Sequence, residues 1–147
     1  MTSNIHPSMR MLHDRPVLVE VEEITRLPAS LLLAQVNTAI GRTAVRWCGD
    51  PAAEVGEYHA EWTVDEDICW GWNAKPVVGA RPEIRSVGHC VVLQGRLILA
   101  EDGAGMLDLD GTVILLDLAD PLPDGVGGTW VELCVERENI ALYPYKL

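Results

Sequence analysis

The sequence has few basic residues, no long apolar run and no Phe, and the first two absences already exclude classes of function. Only 11 Lys and Arg residues stand against 22 Asp and Glu residues, which gives a net charge of −11. Nucleic-acid affinity comes mainly from Lys and Arg displacing counterions from phosphates, so we expect no nucleic-acid partner. No segment approaches the roughly 18 consecutive apolar residues of a membrane-spanning helix, so we expect no membrane partner.

Signals of export, cofactor binding and metal binding are also missing. The N-terminal stretch MTSNIHPSMRMLHDRP lacks the apolar core of a signal peptide, which predicts a cytoplasmic protein. The chain carries no phosphate-loop, dinucleotide-binding or GxSxG motif, which favours binding over catalysis and predicts no cofactor. The cysteines have no CxxC spacing, so we interpret them as small buried hydrophobic residues and expect no disulfide and no metal site; they are Cys48, Cys69, Cys90 and Cys134.

What is present is enough apolar sequence for a core, with the alternation of a β protein. The 147 residues are 48% hydrophobic and 22% charged, which suits one domain of ordinary size or two small ones. Val17, Val19 and Val21 alternate with Glu20 and Glu22, the period of a strand with one buried face and one wet face. Similar runs recur along the chain, so the sequence predicts an all-β protein.

Three local segments refine this prediction. Residues 29–40 fit either a helix or a strand, and we favour the strand by analogy with the second half of the chain. The pair Asp110-Gly111 between two apolar runs predicts a tight hairpin. The segment 120–128 is rich in Pro and Gly, which predicts an exposed loop because neither residue suits a central strand.

The chain also contains an internal repeat. Residues 41–72 align with residues 111–142, and the matches fall at turn positions or keep the in-out phase of a strand. Two ordinary hairpins that are punctuated alike are the alternative explanation; we favour a duplication. The identical pairs are Gly41/Gly111, Asp50/Asp120, Pro51/Pro121, Val55/Val126, Gly56/Gly127, Glu61/Glu132, Val64/Val135 and Ile68/Ile140.

About five short strands per repeat, with the longest irregular stretch between the third and the fourth, is the element order of an OB-like barrel. The sequence therefore predicts two tandem OB-like five-stranded barrels. The first covers residues 16–74 and the second residues 88–147. A linker covers 75–87, and a mobile tail covers 1–15. One larger antiparallel β-barrel is the alternative.

The end of each repeat resembles a known module. VELCVERENIALYP from Val131 and AEWTVDEDICWGW from Ala60 resemble the closing hairpin of the TOBE and Mop domains. These are OB-like modules of molybdate-binding proteins and ABC-transporter ATPases, so the resemblance implies an OB-like fold. They bind oxyanions through Ser, Lys and backbone N–H groups. The matching positions here, 65–67 and 136–138, are mostly acidic, so we transfer no ligand residue.

Because the chain has no Phe, its aromatic chemistry rests on five Trp and three Tyr residues. If residues 68–72 form a strand, Trp70 and Trp72 lie on one face, which is either core or an exposed platform for a flat ligand. We take Trp47, Trp70 and Trp72 as the candidate binding residues.

A histidine and a carboxylate, His59 and Glu61, project from the same side of a predicted strand. Inside a barrel such a pair would serve as a general acid and base, and outside it is a solvated face. We assign these two residues as catalytic only if the protein is an enzyme.

Three functions follow, in order of preference. The first is a non-enzymatic binding module whose acidic surface engages a protein partner. The negative charge of this surface favours a basic partner. The second is a small β-barrel enzyme of the cyclase or isomerase type that acts on an apolar metabolite in the lumen. The third is oxyanion or small-ligand binding between the repeats. A homodimer through the apolar strand at 113–118 is a further expectation.

Overall fold

The structure, a computed structural model, describes residues 17–145 and confirms the predicted all-β class. Short 3-10 turns lie at Pro28–Ser30 and Arg137–Asn139. No helix within these residues has the length and hydropathy needed to cross a membrane. The strands are β1 (Val17–Arg26), β2 (Leu32–Thr38), β3 (Gly41–Trp47), β4 (Gly56–Val64), β5 (Ala74–Pro76), β6 (Glu83–Val87), β7 (Cys90–Leu99), β8 (Gly105–Leu109), β9 (Thr112–Leu116), β10 (Trp130–Glu136) and β11 (Ile140–Tyr145).

The first unit is a closed five-stranded barrel with the strand order β1-β2-β3-β11-β4. Strands β1 to β4 come from the start of the chain, whereas β11 comes from its end. Strand β11 lies parallel to β3 and antiparallel to β4. The predicted five-stranded barrel is therefore present, but its fifth strand, β11, comes from the residues predicted for the second repeat. The interior is filled by buried side chains, namely Val19, Val21, Ala34, Val36, Val45, Trp47, Ala60, Trp62, Val64, Ile140 and Leu142.

The second unit is a six-stranded sheet with the order β5-β10-β7-β8-β9, in which β6 also pairs with β7. The long strand β7 holds β10 along one edge, and β6 and β8 share its other edge. A parallel bridge between Ile68 and Leu118 joins the chain after β9 to the segment that leads into β5. Segment 68–76 therefore pairs with β10 through β5 and with the chain after β9 through Ile68. In the first barrel, β11 likewise pairs with two strands, β3 and β4.

The two halves of the chain thus exchange their last strands. The first half, residues 17–76, supplies segment 68–76 to the second sheet, and the second half, residues 83–145, supplies β11 to the first barrel. In the pairing of the closing strands, Pro144 lies opposite Ala60, and Pro76 lies opposite Val131, the residue aligned with Ala60. The pairing thus makes Pro76 the counterpart of Pro144, whereas the sequence alignment, which matches Ile68 with Ile140, places residue 72 there; the closing segments of the two units therefore differ in register.

Two segments differ locally from their prediction. Residues 75–87, predicted as a linker, contain the end of β5 and all of β6, because both pair with strands of the second sheet. The predicted strand at 68–72 is instead two isolated bridges, at Ile68 and Trp70, and a turn, because backbone hydrogen bonds return to Cys69 from Trp72 and Asn73. The predicted tail 1–15 lies outside the described residues.

Strand β6 fastens the second sheet to the first barrel. The Ile84 N–H donates to the Ile40 carbonyl over 3.0 Å, and the hydroxyls of Thr43 and Ser86 lie 2.7 Å apart. Gly41 is required at this contact because a Cβ there would lie 1.8 Å from the Ile84 carbonyl oxygen, and its φ is +145°. The two units form one continuous apolar core.

The local turn and strand predictions are confirmed. Asp110 and Gly111 have φ values of 57° and 95°, which gives the tight two-residue turn between β8 and β9. Segment 29–40 contains the strand β2. Residues 120–128 form an irregular, largely exposed loop.

Candidate functional site

Trp47, the first of the predicted binding residues, belongs to the core. Its side chain is 3% exposed, and the indole Nε1–H donates to the Asp50 carbonyl over 3.0 Å. Its ring packs edge-on against Tyr58 with the centroids 5.3 Å apart. Trp47 therefore stabilises the barrel, and its indole is closed to a stacking ligand.

Trp70 and Trp72 lie in the turn that precedes β5 and do not form the predicted two-residue platform. Trp70 is half-buried against the core, whereas Trp72 is 86% exposed. The turn is held by the buried Asn73, whose Oδ1 accepts from the Cys69 N–H over 2.8 Å and whose Nδ2 donates to the Asp67 carbonyl over 2.8 Å. Trp72 is therefore an isolated exposed indole on a well-bonded turn.

The carboxylate of Glu66 joins the two crossing segments. Its Oε1 accepts from the Asn139 amide over 3.0 Å and from the Glu136 N–H over 3.1 Å, and its Oε2 accepts from the Asn73 amide over 3.0 Å. Burial alone would raise the pKa of Glu66, but these hydrogen bonds to the charged form outweigh it and lower the pKa. Glu66 is therefore a structural carboxylate at the strand exchange.

His59 and Glu61 lie on the outer side of β4, opposite to the side that carries Ala60 and Trp62 into the barrel. The pairing of β4 with β1 and β11 places other residues beside them. His59 lies between Leu18 and Tyr145. We call this surface the acidic-aromatic face; it consists of Leu18, Glu20, Glu57, His59, Glu61, Tyr143 and Tyr145.

The centre of the acidic-aromatic face is apolar and open to solvent. Leu18 is 49% exposed, Tyr143 42% and Tyr145 39%. Interaction with the Cys48 thiol raises the pKa of the Tyr143 phenol above its ordinary value of 10. The face thus offers aromatic rings and a hydroxyl between carboxylates.

The rim of this face carries opposed negative charges. Glu20 and Glu57 are directly paired across β1 and β4, and Glu61 lies opposite Tyr143. Opposed like charges in a sheet lie about 4.5–5.5 Å apart at Cβ and are destabilising. Within residues 17–145, none of these three carboxylates forms a salt bridge, although Glu20 accepts a long hydrogen bond of 3.4 Å from Asn37.

The same positions of the second repeat carry different groups. Arg96 and Trp130 form the cross-strand pair that corresponds to Leu18 and His59. Glu132, the counterpart of Glu61, lies 3.3 Å from the Lys75 ammonium and 3.5 Å from the Arg85 guanidinium. This matching face is therefore charge-compensated, in contrast to the acidic-aromatic face.

The thiols and acidic groups do not form a further centre. All four cysteines are free and half-buried, so they are less buried than predicted, because they lie on outer strand faces and in turns. Burial raises the pKa of Cys90, with the adjacent Cys134 thiol adding to it. In the part of the chain that the structure describes, no group of three or more His, Cys, Asp or Glu residues has the geometry of a metal site.

No protein-family model, curated protein sequence or solved structure matches this chain. The assignment of the acidic-aromatic face as the candidate site therefore rests on its geometry alone.

Sequence reasoning identified His59 and Glu61 but missed most of the acidic-aromatic face. The alternation in β1 already places Leu18 and Glu20 on one outer side, and spacing does the same for Tyr143 and Tyr145. Neither pattern shows that both strands flank β4. The face appears only when the barrel brings residues from both ends of the chain together.

Proposed function

We propose that this protein is a non-enzymatic binding module that docks a basic protein surface on its acidic-aromatic face. The observation that carries the proposal is a rim of carboxylates around exposed apolar residues; within residues 17–145 these carboxylates, Glu20, Glu57 and Glu61, form no salt bridge. The aligned carboxylate of the second repeat, Glu132, has two basic partners instead.

Charge supports a basic partner. The net charge of −11 attracts cations at long range, and the carboxylates of this face direct them to it, although Arg42 lies near enough to Glu20 to attract its charge. A partner that supplies Lys or Arg to Glu20 and Glu57 would relieve the repulsion between these two carboxylates. Binding and relief of repulsion would then come from the same contacts.

The apolar centre supports an arginine-rich partner in particular. Interfaces typically combine aromatic residues at the centre with a polar rim. Tyr143 and Tyr145 present rings on which a guanidinium stacks, and the neighbouring Glu61 accepts its N–H groups. We therefore expect arginine to be preferred over lysine.

The other two functions gain no comparable support. His59 and Glu61 project away from the barrel interior, which is filled by Trp62, Leu142 and their neighbours. An anion between the repeats would meet the carboxylate of Glu66. A negative charge at that place repels an oxyanion.

The proposal is tested by titrating nona-arginine into the ¹⁵N-labelled protein and following the amide shifts. We expect the largest shifts along β4 and at Leu18 and Tyr143, small shifts at the matching face, weaker binding of nona-lysine, and no binding of nona-glutamate. The apparent Kd is expected to rise at least about tenfold between 50 mM and 500 mM NaCl, since the contacts are screened by salt.

Matched variants locate the effect. Glu61→Gln is expected to weaken nona-arginine binding about 2- to 5-fold, whereas Glu132→Gln at the aligned position leaves it unchanged. Tyr145→Ser is expected to weaken binding, and Leu115→Ser, at a side chain that is 71% exposed on the other unit, is the control. Shifts that centre on residues 65–67 or 101–110, or a Kd that ignores salt, would contradict the proposal.

A further inference from the structure

We infer that the two halves of this chain are binding partners of each other, in the manner of a strand-exchanged dimer, and that the covalent connection at 77–82 is not needed to hold them together. In each unit, the place of the closing strand is then a recognition site for a β-strand. The closing segment of the other half binds there.

The first site is the slot between β3 and β4. Strand β11 fills it with two parallel Cα pairs to β3 and six antiparallel pairs to β4. Ile140, Ala141 and Leu142 are each 0% exposed there, and the Cys48 N–H donates to the Leu142 carbonyl over 2.9 Å. The barrel closes around a strand that the first half does not contain.

The second site receives segment 68–76 in return. Ile68 and Ala74 are 1% and 3% exposed, and the Ile68 N–H donates to the Asp117 carbonyl over 2.7 Å. The Cys134 N–H donates to the Asn73 carbonyl over 2.9 Å, and Lys75 pairs with Glu132. Each half therefore satisfies backbone and apolar groups of the other.

The two crossing segments are joined to each other where they pass. The Asp65 N–H donates to the Asn139 carbonyl over 2.6 Å, and Glu66 accepts hydrogen bonds from Asn73 of the first half and from Glu136 and Asn139 of the second. An exchange of identical elements between copies is a low-cost way to form a dimer. Here the copies are the two repeats, and the crossing is reciprocal.

The connection itself contributes few contacts. Val78 is 100% exposed, and a Cβ on Gly79 would meet no atom within 4 Å. The Val77 N–H donates to the Trp130 carbonyl over 3.2 Å, and the Arg81 carbonyl accepts from the Gln94 amide over 2.8 Å. Both of these contacts hold the ends of the connection and leave its middle open.

The inference is tested by inserting a protease recognition sequence after Val78 in the full chain and cleaving it. We expect the two fragments to co-elute at the mass of the intact protein in native size exclusion and to separate in denaturant. The insertion alone is expected to lower Tm by only about 2–5 °C, because lengthening a flexible connection is cheap. Two folded fragments that elute separately would overturn the inference.

A cross-link distinguishes strand exchange from simple contact between two barrels, and it does not require cleavage. In a background with Cys48→Ser, the pair Glu61→Cys and Tyr143→Cys lies directly opposite across β4 and β11. We expect it to form a disulfide under mild oxidation. Glu132→Cys with Tyr143→Cys is the matched control, because these positions would face each other only without exchange. A disulfide in the control pair and none in the first pair would overturn the inference.

Discussion

The acidic-aromatic face of the first barrel and the matching face of the second sheet occupy the same strand register, yet their charges are arranged in opposite ways. Glu61 lies opposite Tyr143 on a face that also carries the paired carboxylates of Glu20 and Glu57, whereas Glu132 is held by Lys75 and Arg85. A repeated backbone therefore supports two different surfaces. The second sheet pairs its carboxylate with basic residues of the same chain, whereas the acidic-aromatic face carries the carboxylates on which the proposed binding function rests.

The comparison extends to the strands that complete each unit. Strand β11 pairs with β4 over six residues, whereas β5 pairs with β10 over three. The first barrel is closed, and the second sheet is joined through a single bridge at Ile68. The exchange therefore contributes more strand pairing to the first barrel, which carries the proposed binding face, than to the second sheet.

The largest expected effect comes from Leu142→Ala in β11. Leu142 is 0% exposed, so the substitution should cost about 2–5 kcal/mol of unfolding free energy. Because β11 belongs to the second half but completes the first barrel, we expect a single cooperative transition in urea, followed by circular dichroism and by Trp fluorescence. Tyr143→Ala on the outer face is the control and should change stability far less. Two separated transitions would contradict the coupling of the units.

The next effect concerns the junction. Glu66→Gln removes a charged acceptor of three hydrogen bonds and should cost about 1–2 kcal/mol at neutral pH, the low end because the side chain is only half-buried. The pKa of Glu66 is lowered in the folded protein, so its stabilisation is complete above its ordinary value of 4.5 and is lost as the pH falls through the folded value.

Urea titrations of both proteins between pH 7 and pH 3 check this result. We expect the difference between Glu66→Gln and the unmodified protein to shrink on acidification. Asp67→Gln serves as the neighbouring control, since its carboxylate makes none of the hydrogen bonds described above. A difference that stays constant down to pH 3 would show that the charge of Glu66 is not what joins the segments.

A smaller effect is expected at the compensated face. Glu132→Gln leaves Lys75 without its carboxylate and Arg85 with Glu83 alone, and the Glu132 side chain is only 14% exposed, so the loss should be about 1 kcal/mol. Thermal unfolding at 50 mM and 500 mM NaCl measures this loss, which salt should reduce. Glu61→Gln at the aligned position should cause no loss. An equal loss at both positions would remove the contrast between the faces.

The smallest effect has the opposite sign. Glu57→Gln relieves the direct repulsion with Glu20, so we expect a gain of about 0.2–0.5 kcal/mol at low salt and less at high salt. The same variant should weaken nona-arginine binding. Differential scanning calorimetry and the NMR titration together test whether one pair of carboxylates lowers stability and favours binding. A gain in stability with unchanged binding would count against the proposed face.

Local features were predictable from the sequence because they depend on neighbours along the chain. The alternation of Val19 and Val21 with Glu20 identifies a half-buried strand, and Asp110-Gly111 identifies a hairpin, since both residues adopt positive φ. The repeat was also detectable, because turn positions restrict the residue type. The outer position of His59 and Glu61 followed from their phase on the strand.

The exchange was not predictable from the same patterns. Ile140 and Leu142 would be buried equally well against β10 of their own repeat, because Val64 and Val135 occupy equivalent places in the two units. The burial of Trp47, one of the predicted binding residues, was not predictable for a related reason. Composition shows that a Trp is present, but only packing shows that its ring fills the barrel.

The sequence by itself determined the all-β class, most of the strands, the hairpin at Asp110-Gly111, the side of these strands that faces the core and the excess of negative charge. The tertiary structure alone decided which strand completes which unit, and it thereby decided that Leu18, His59 and Tyr145 lie side by side. The physical reason is that alternation is a property of consecutive residues, whereas the choice between two nearly identical strand positions depends on the path of the connecting segments.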